Sequence, residues 1–230
     1  MSAEIRTMFA QIAPRYDLAN QVLSFGVHRL WRRAAVRLSS AKAGDAILDC
    51  ATGTGDLALA FKRKIGPSGT VVGTDFCREM LEPAPEKARR AGLDVRFEVA
   101  DALALPYQDR AFDVASIEFG IRNVDDPLRC LKEMSRVVKD GGRVVVLEFG
   151  QPSGLFGRLF RFYSRHVLPS IGALLTGQRQ AYEYLPRTAS AFPSGDRFLA
   201  LMREAGTFSS SFARPLTFGT AFVYVGTVRH

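Results

Sequence analysis

The chain has 230 residues, 31 Lys+Arg against 23 Asp+Glu and a formal charge of +8, with 47% apolar and 23% charged residues. These values are ordinary for one soluble globular domain with a real core, and they exclude disordered, collagen-like and low-complexity classes. No apolar run approaches the roughly 18 residues a membrane span needs, and the start of the chain lacks the apolar stretch of an export signal, so a cytoplasmic protein is expected.

Residues 1–42 carry seven basic and two acidic side chains and are read as an N-terminal helical cap. From 43 to 149 one pattern recurs: a short apolar strand, a loop with Gly or Asp, then an amphipathic helical stretch. Strands are predicted at 46–50, 70–74, 95–99, 112–117 and 143–149, the last announced by Lys139-Asp140-Gly141-Gly142. Helices are predicted at 57–64, 78–91 and 127–138. Such alternation with near-continuous apolar strands predicts a parallel sheet covered on both faces, with ligands at the carboxyl ends of the strands.

The pattern then changes. Residues 150–195 hold five Arg, one Glu and no Lys, interleaved with Leu155, Phe156, Leu159, Phe160, Phe162 and Tyr163. Two readings stand open: an amphipathic segment resting on an anionic membrane surface, or an ordinary helix with one core face and one solvated face. Nucleic acid is not the expected partner, since Lys and a run of exposed aromatics along a groove are lacking. A helix at 196–205 and two closing strands near 208–212 and 221–228 follow. Two consecutive strands without an intervening helix are antiparallel, which a plain nicotinamide-binding fold lacks. The widely spaced Cys50, Cys77 and Cys130 are read as buried free thiols, with neither disulfides nor a metal site expected.

The loop from Asp49 to Ala58 contains G-x-G-x-x-A. Gly53 and Gly55 allow a tight turn and close approach of backbone to a ligand, with Thr54 between them. Asp75, at the end of the second strand, is placed to accept both hydroxyls of a ribose. Asp101, at the end of the third strand and followed by Ala102, can accept from an adenine amine. Each Asp could instead be a solvated strand end or helix cap, but three at consecutive strand ends point to a nucleoside-bearing cofactor.

Gly loop, two strand-end carboxylates and a closing antiparallel strand pair resemble the class I S-adenosylmethionine-dependent methyltransferases. The stretches Tyr16-Asp17-Leu18-Ala19-Asn20, Phe25-Gly26-Val27-His28-Arg29-Leu30-Trp31, Phe119-Gly120-Ile121-Arg122-Asn123-Val124, Leu147-Glu148-Phe149 and Tyr182-Glu183-Tyr184-Leu185 are similar to the ubiquinone/menaquinone biosynthesis C-methyltransferases. That resemblance implies a Rossmann-like, doubly wound seven-stranded α/β sheet, mostly parallel with a C-terminal antiparallel strand. It also implies one methyltransferase domain: N-terminal helical cap 1–42, cofactor core 43–149, helical substrate cap 150–195, and closing helix and strands 196–230.

The implied reaction is S-adenosylmethionine-dependent methylation of a ring carbon of a polyprenylated hydroquinone, with S-adenosylhomocysteine as product. Cofactor contacts carry over to Gly53, Thr54, Gly55, Asp75, Asp101, Ala102 and Glu118, the last standing where the family usually has Ser. A neutral aromatic carbon attacks a methyl group poorly, so an adjacent ring hydroxyl must ionise. Arg122 and Asn123 are the expected oxyanion partners. His28, or a water beside Arg122, is the expected proton acceptor, and Tyr16 or Tyr182 would orient the ring. A structural alternative pairs Arg122 with Asp125 or Asp126, makes His28 and His166 packing residues, and makes Trp31 a core anchor.

A long isoprenoid tail implies peripheral association with an anionic membrane surface, and the family often forms dimers, which makes a homodimer one open state of assembly. Other readings keep the cofactor with another small aromatic or lipid acceptor, or make the chain a non-catalytic membrane-associated subunit. A nicotinamide-dependent oxidoreductase is disfavoured.

Overall fold

The computed structural model describes residues 3–230. Three helices open the chain: α1 (Ala3–Ile12), α2 (Tyr16–Leu23) and α3 (His28–Leu38). In α3 the residues His28, Trp31, Ala34 and Ala35 are buried, a stripe at helical spacing that faces the sheet. Phe25 and Gly26, both at positive φ, turn the chain between α2 and α3.

Seven strands follow: β1 (Ala46–Cys50), β2 (Thr70–Asp75), β3 (Arg96–Val99), β4 (Phe112–Glu118), β5 (Val138–Phe149), β6 (Phe208–Leu216) and β7 (Ala221–Val228). Their order is β3-β2-β1-β4-β5-β7-β6. Pairings from β3 through β5 are parallel, and β7 is antiparallel to both β5 and β6. The mostly parallel sheet with an antiparallel strand near its C-terminal edge is therefore as expected. Strand order reverses between β1 and β4, opening a crevice at their carboxyl ends.

Helices α4 (Asp56–Ile65), α5 (Arg78–Leu81), α6 (Ala84–Arg90) and α7 (Pro127–Val137) alternate with the strands, and α11 (Asp196–Ala205) precedes β6. Alternate β5 residues serve opposite cores. Val144 and Val146 pack with Leu131 and Met134 of α7 and Phe198 and Met202 of α11. Val145 and Leu147 pack with Trp31 and Ala35 of α3 and Leu57 and Phe61 of α4. This two-sided cover explains the continuous apolar runs in the strands.

Three sequence expectations need adjustment. The helix expected over 78–91 breaks into α5 and α6, because Pro83 and Pro85 both lack the N–H that an unbroken helix would donate four residues back. The turn expected at Lys139–Gly142 is absorbed into β5 as a bulge, where the register jumps from Phe112↔Val138 to Val114↔Arg143. Strand β6 runs on to Leu216 and includes Pro215, which an edge strand tolerates.

Residues 150–195 form α8 (Gly154–Phe162), a π-helical turn (Tyr163–Val167), α9 (Leu168–Thr176) and α10 (Arg179–Ala191). Leu168, Ala181 and Tyr182 join Ile12 and Ala19 in a separate small core. The N-terminal helices and the insertion thus pack as one cap. Tyr163 donates to the Leu23 carbonyl at 2.9 Å, and Arg15 to the Leu175 carbonyl at 2.8 Å, pinning the two parts together.

Candidate active site

The predicted cofactor residues meet at the crevice. Gly53 and Gly55 have φ of +55° and +85°. A Cβ on Gly55 would lie 2.9 Å from the Phe97 ring and 3.0 Å from the Ala84 methyl, so only glycine lets the loop start α4 there. The Gly53 N–H donates to Asp75 Oδ2 at 2.9 Å, and the Cys77 N–H to Asp75 Oδ1 at 2.8 Å. Two backbone donors therefore aim the carboxylate, while burial raises its proton affinity. Asp101 accepts from the Leu103 N–H at 2.9 Å, and Ala102 beside it is buried. Phe76, next to Asp75 and partly exposed, offers a face on which a purine can stack; its aromatic character directly after the strand-end carboxylate was the signal for it.

Asp49 lies buried at the end of β1, accepting from Ser116 Oγ at 2.6 Å and Thr52 Oγ1 at 2.5 Å. Burial outweighs both bonds and pushes it up to about 7. Thr54 turns toward the cap, donating to Asp17 Oδ1 at 2.6 Å. From there an ion network crosses the crevice. Lys87 reaches Asp17 at 2.7 Å and Asp56 at 2.5 Å, and Arg32 reaches Asp56 at 3.2 Å and Glu118 at 3.0 Å. Asp17 lies inside one N-terminal stretch already singled out, and Arg32 directly follows the other. Lys87 and Asp56 carried no signal beyond their positions on the helices that follow β1 and β2.

Arg122 follows β4 in a short 3-10 turn (Ile121–Asn123). Its Nη1 donates to Glu148 Oε1 and to the Phe119 carbonyl, both at 2.7 Å, and its guanidinium lies over the Phe149 ring. The two side chains of the pair are only 4% and 1% exposed. The carboxylate partner of Arg122 is thus Glu148, at the end of an apolar strand, and not the Asp125 or Asp126 weighed from sequence; Asp126 caps α7 instead. A charge inside an otherwise apolar strand was the signal for Glu148. The Arg122 Nε has no protein partner, so the guanidinium retains a donor.

Asn123 is buried, and its Oδ1 accepts from the Tyr184 hydroxyl at 3.1 Å. Tyr182, expected to reach the ring, instead packs into the cap core. Helical spacing explains the difference, because residues two apart on α10 face different ways. Tyr16 packs against the cap clusters, and Asn20, Arg122, Glu118 and Asp75 act on its hydroxyl. Burial is the largest effect and pushes it up to about 12.

His28 is buried, with Nδ1 at 2.6 Å from Ser24 Oγ, which itself donates to the Asn20 carbonyl. The serine proton is committed to that carbonyl, so Nδ1 carries the imidazole hydrogen. Burial and then Arg32 lower its proton affinity. Its electrostatic neighbours are Arg32, Asp56, Arg29 and Asp17. Trp31 is a core anchor, donating from Nε1 to Thr217 Oγ1 at 2.8 Å. All three cysteines are buried and free.

A nucleoside-bearing sulfonium fits these residues. The positive-φ Gly53 has only the Met80 methyl near its Cβ position, at 3.3 Å, and Asp75 is aimed by backbone. The solved structure of a SAM-dependent methyltransferase of Thermotoga maritima is similar, with a TM-score of 0.67 at 22% identity over 97% of this chain and 99% of that one. The Ubiquinone/menaquinone biosynthesis C-methyltransferase UbiE of Bdellovibrio bacteriovorus is 56% identical over 98% of this chain and 96% of the relative. A Demethylmenaquinone methyltransferase of Deinococcus radiodurans is 50% identical over 98% and 92%. With residues 1–228 matching the ubiE/COQ5 methyltransferase family, and its strand-end carboxylates set around a Gly loop, the chain belongs to that family.

Proposed function

We propose that this S-adenosylmethionine-dependent methyltransferase methylates a ring carbon of a polyprenyl hydroquinone, a demethylmenaquinol or the corresponding ubiquinol precursor, releasing S-adenosylhomocysteine. The observation that carries the reading is the Arg122–Asn123 corner. A buried guanidinium with a spare donor stands beside a buried amide, next to the β1/β4 crevice where the cofactor residues converge. Bound cofactor supplies an electrophilic methyl group on sulfur. Arg122 stabilises the ring oxyanion with its free donor, Asn123 and Tyr184 orient the ring, and Tyr16 closes the crevice from the cap side.

The tail requires an apolar path. No described helix is long and apolar enough to cross a membrane. Leu155, Leu159 and Phe162 of α8 are exposed, as are Phe25 and Phe218, at 79% and 81%. Arg158, Arg161 and Arg165 interleave with them. This face is suited to rest on an anionic bilayer and to take the quinol from it.

Labelled S-adenosylmethionine offered with reduced demethylmenaquinone and, separately, a benzoquinol lacking the ring methyl tests the reaction, with label expected on a ring carbon by mass spectrometry. Cofactor binding without transfer to either ring would sink the acceptor. Co-sedimentation with vesicles should rise with anionic lipid content. Binding indifferent to lipid charge, or burial of the apolar face in a homodimer, would remove the membrane reading.

A further inference from the structure

Glu118 ends β4 beside the crevice. Its Oε2 accepts from Arg32 Nε at 3.0 Å, while Oε1 is buried without a hydrogen-bond partner. Leaving a buried anionic oxygen unpaired forfeits its hydration without a replacement, and such groups call for a functional explanation. The network around it holds the carboxylates of Asp17, Asp56 and Glu118 but only the cations Lys87 and Arg32. Arg32 is shared with Asp56 and Lys87 with Asp17, so a proton on Glu118 leaves neither cation alone. Arg122 follows Glu118 by four residues, and its Nη1 is anchored on the carbonyl of Phe119, the residue next to Glu118, so the two side chains belong to one strand-end turn.

We propose that Glu118 is the catalytic residue that takes the proton from the quinol hydroxyl, an inference resting on the quinol reading above. The hydroxyl proton passes to Oε1 and the O–H electron pair stays on the ring oxygen, held by Arg122. The adjacent ring carbon forms the bond to the methyl group as the methyl–sulfur bond breaks, its pair remaining on sulfur. The ring C–H then gives its proton to water, its electron pair restores aromaticity, and Glu118 returns the first proton to the ring oxygen. One proton is released per turnover and the carboxylate is regenerated. Burial raises the proton affinity of Glu118, narrowing the gap to a phenol near pKa 10. The groups facing it are Arg32 and, beyond Arg32, His28 of α3, Asp56 of α4, Lys87 of α6, Tyr16 of α2 and Asp49 of β1.

Glu118→Gln in the full chain tests this. Turnover should fall about 10²–10⁴-fold and the rising limb of kcat against pH should vanish, while S-adenosylmethionine affinity by calorimetry stays within about threefold. Ultraviolet difference spectra with S-adenosylhomocysteine and a short-chain naphthohydroquinone should show the phenolate band in the wild type and not in the variant. Turnover within about tenfold of wild type, a surviving pH limb, or cofactor affinity falling in step with kcat would overturn the assignment. Should Glu118→Gln fail to fold, Glu118→Asp must keep the limb at lower kcat, and loss of the limb at full kcat would overturn it. A wild type that methylates neither ring defeats the quinol reading and this one together; wild-type transfer with an unaffected variant defeats this one alone.

Discussion

The strand-end half of the site and its cap half are held by different contacts. Asp75 is aimed by the N–H groups of Gly53 and Cys77, and Asp101 accepts from that of Leu103, so main-chain geometry at the sheet edge places them. The cap half hangs on side chains: Tyr184 on Asn123, Tyr163 on the Leu23 carbonyl, Arg15 on the Leu175 carbonyl. A backbone-built half holds a cofactor whose shape is constant. A side-chain-built half can part to admit a tailed substrate, and its few buried contacts around Leu168 and Tyr182 make it the lower-stability unit.

Arg122→Ala gives the largest expected effect, because it strikes where the halves meet. It strands the buried Glu148 charge, with about 3–5 kcal/mol of stability lost in denaturant titration, and turnover should drop about 10²–10³-fold. Arg122→Lys keeps the charge without the planar fork, and recovery of stability without recovery of rate would separate the two roles. Equal rates in Arg122→Ala and wild type would show that the junction is purely structural.

Asp75→Ala should act on the backbone-built half alone. Loss of a charged acceptor, worth about 1.5–3 kcal/mol, predicts a roughly 10–150-fold weaker S-adenosylmethionine affinity by calorimetry with little change in quinol KM. A matching rise in quinol KM would break the division between the halves. Leu159→Ser with Phe162→Ser should do the reverse. Vesicle binding should fall by about 1.5–3 kcal/mol per apolar side chain withdrawn, with turnover of a short-chain quinol unchanged.

A last expected effect, read as a direction, is on pH-dependent stability. Asp49 titrates at about 7 in the folded chain against 3.8 as its ordinary value, so the folded state holds the proton more tightly. Its contribution to stability is present at low pH and is lost as pH rises between those values. The melting temperature of Asp49→Asn minus that of the wild type should therefore increase from about pH 5 to about pH 8. A difference independent of pH would mean that Ser116 and Thr52 hold Asp49 ionised throughout.

Much of the strand-end half was legible in the sequence. Apolar runs ending in Asp49, Asp75 and Asp101, with glycines at Gly53 and Gly55, place a cofactor site without any coordinates. Less of the cap half was legible, because helical faces become definite only when a partner is known. Tyr182 and Tyr184 lie two residues apart, and only packing shows that Tyr184 reaches Asn123 while Tyr182 enters the cap core. Likewise Arg122 had near neighbours in Asp125 and Asp126, yet its buried partner, Glu148, lies 26 residues away on the adjoining strand.

By itself, then, the sequence determined the order of strands and helices, the Gly loop and the family, because hydrophobic period, turn residues and strand-end carboxylates are local properties. Tertiary structure alone decided which charges face one another. The chain of ion pairs from Asp17 through Lys87, Asp56 and Arg32 to Glu118 joins α2, α6, α4, α3 and β4. Coulombic pairing depends on distance in space and on exclusion of water, and neither is written in the spacing of residues along a chain.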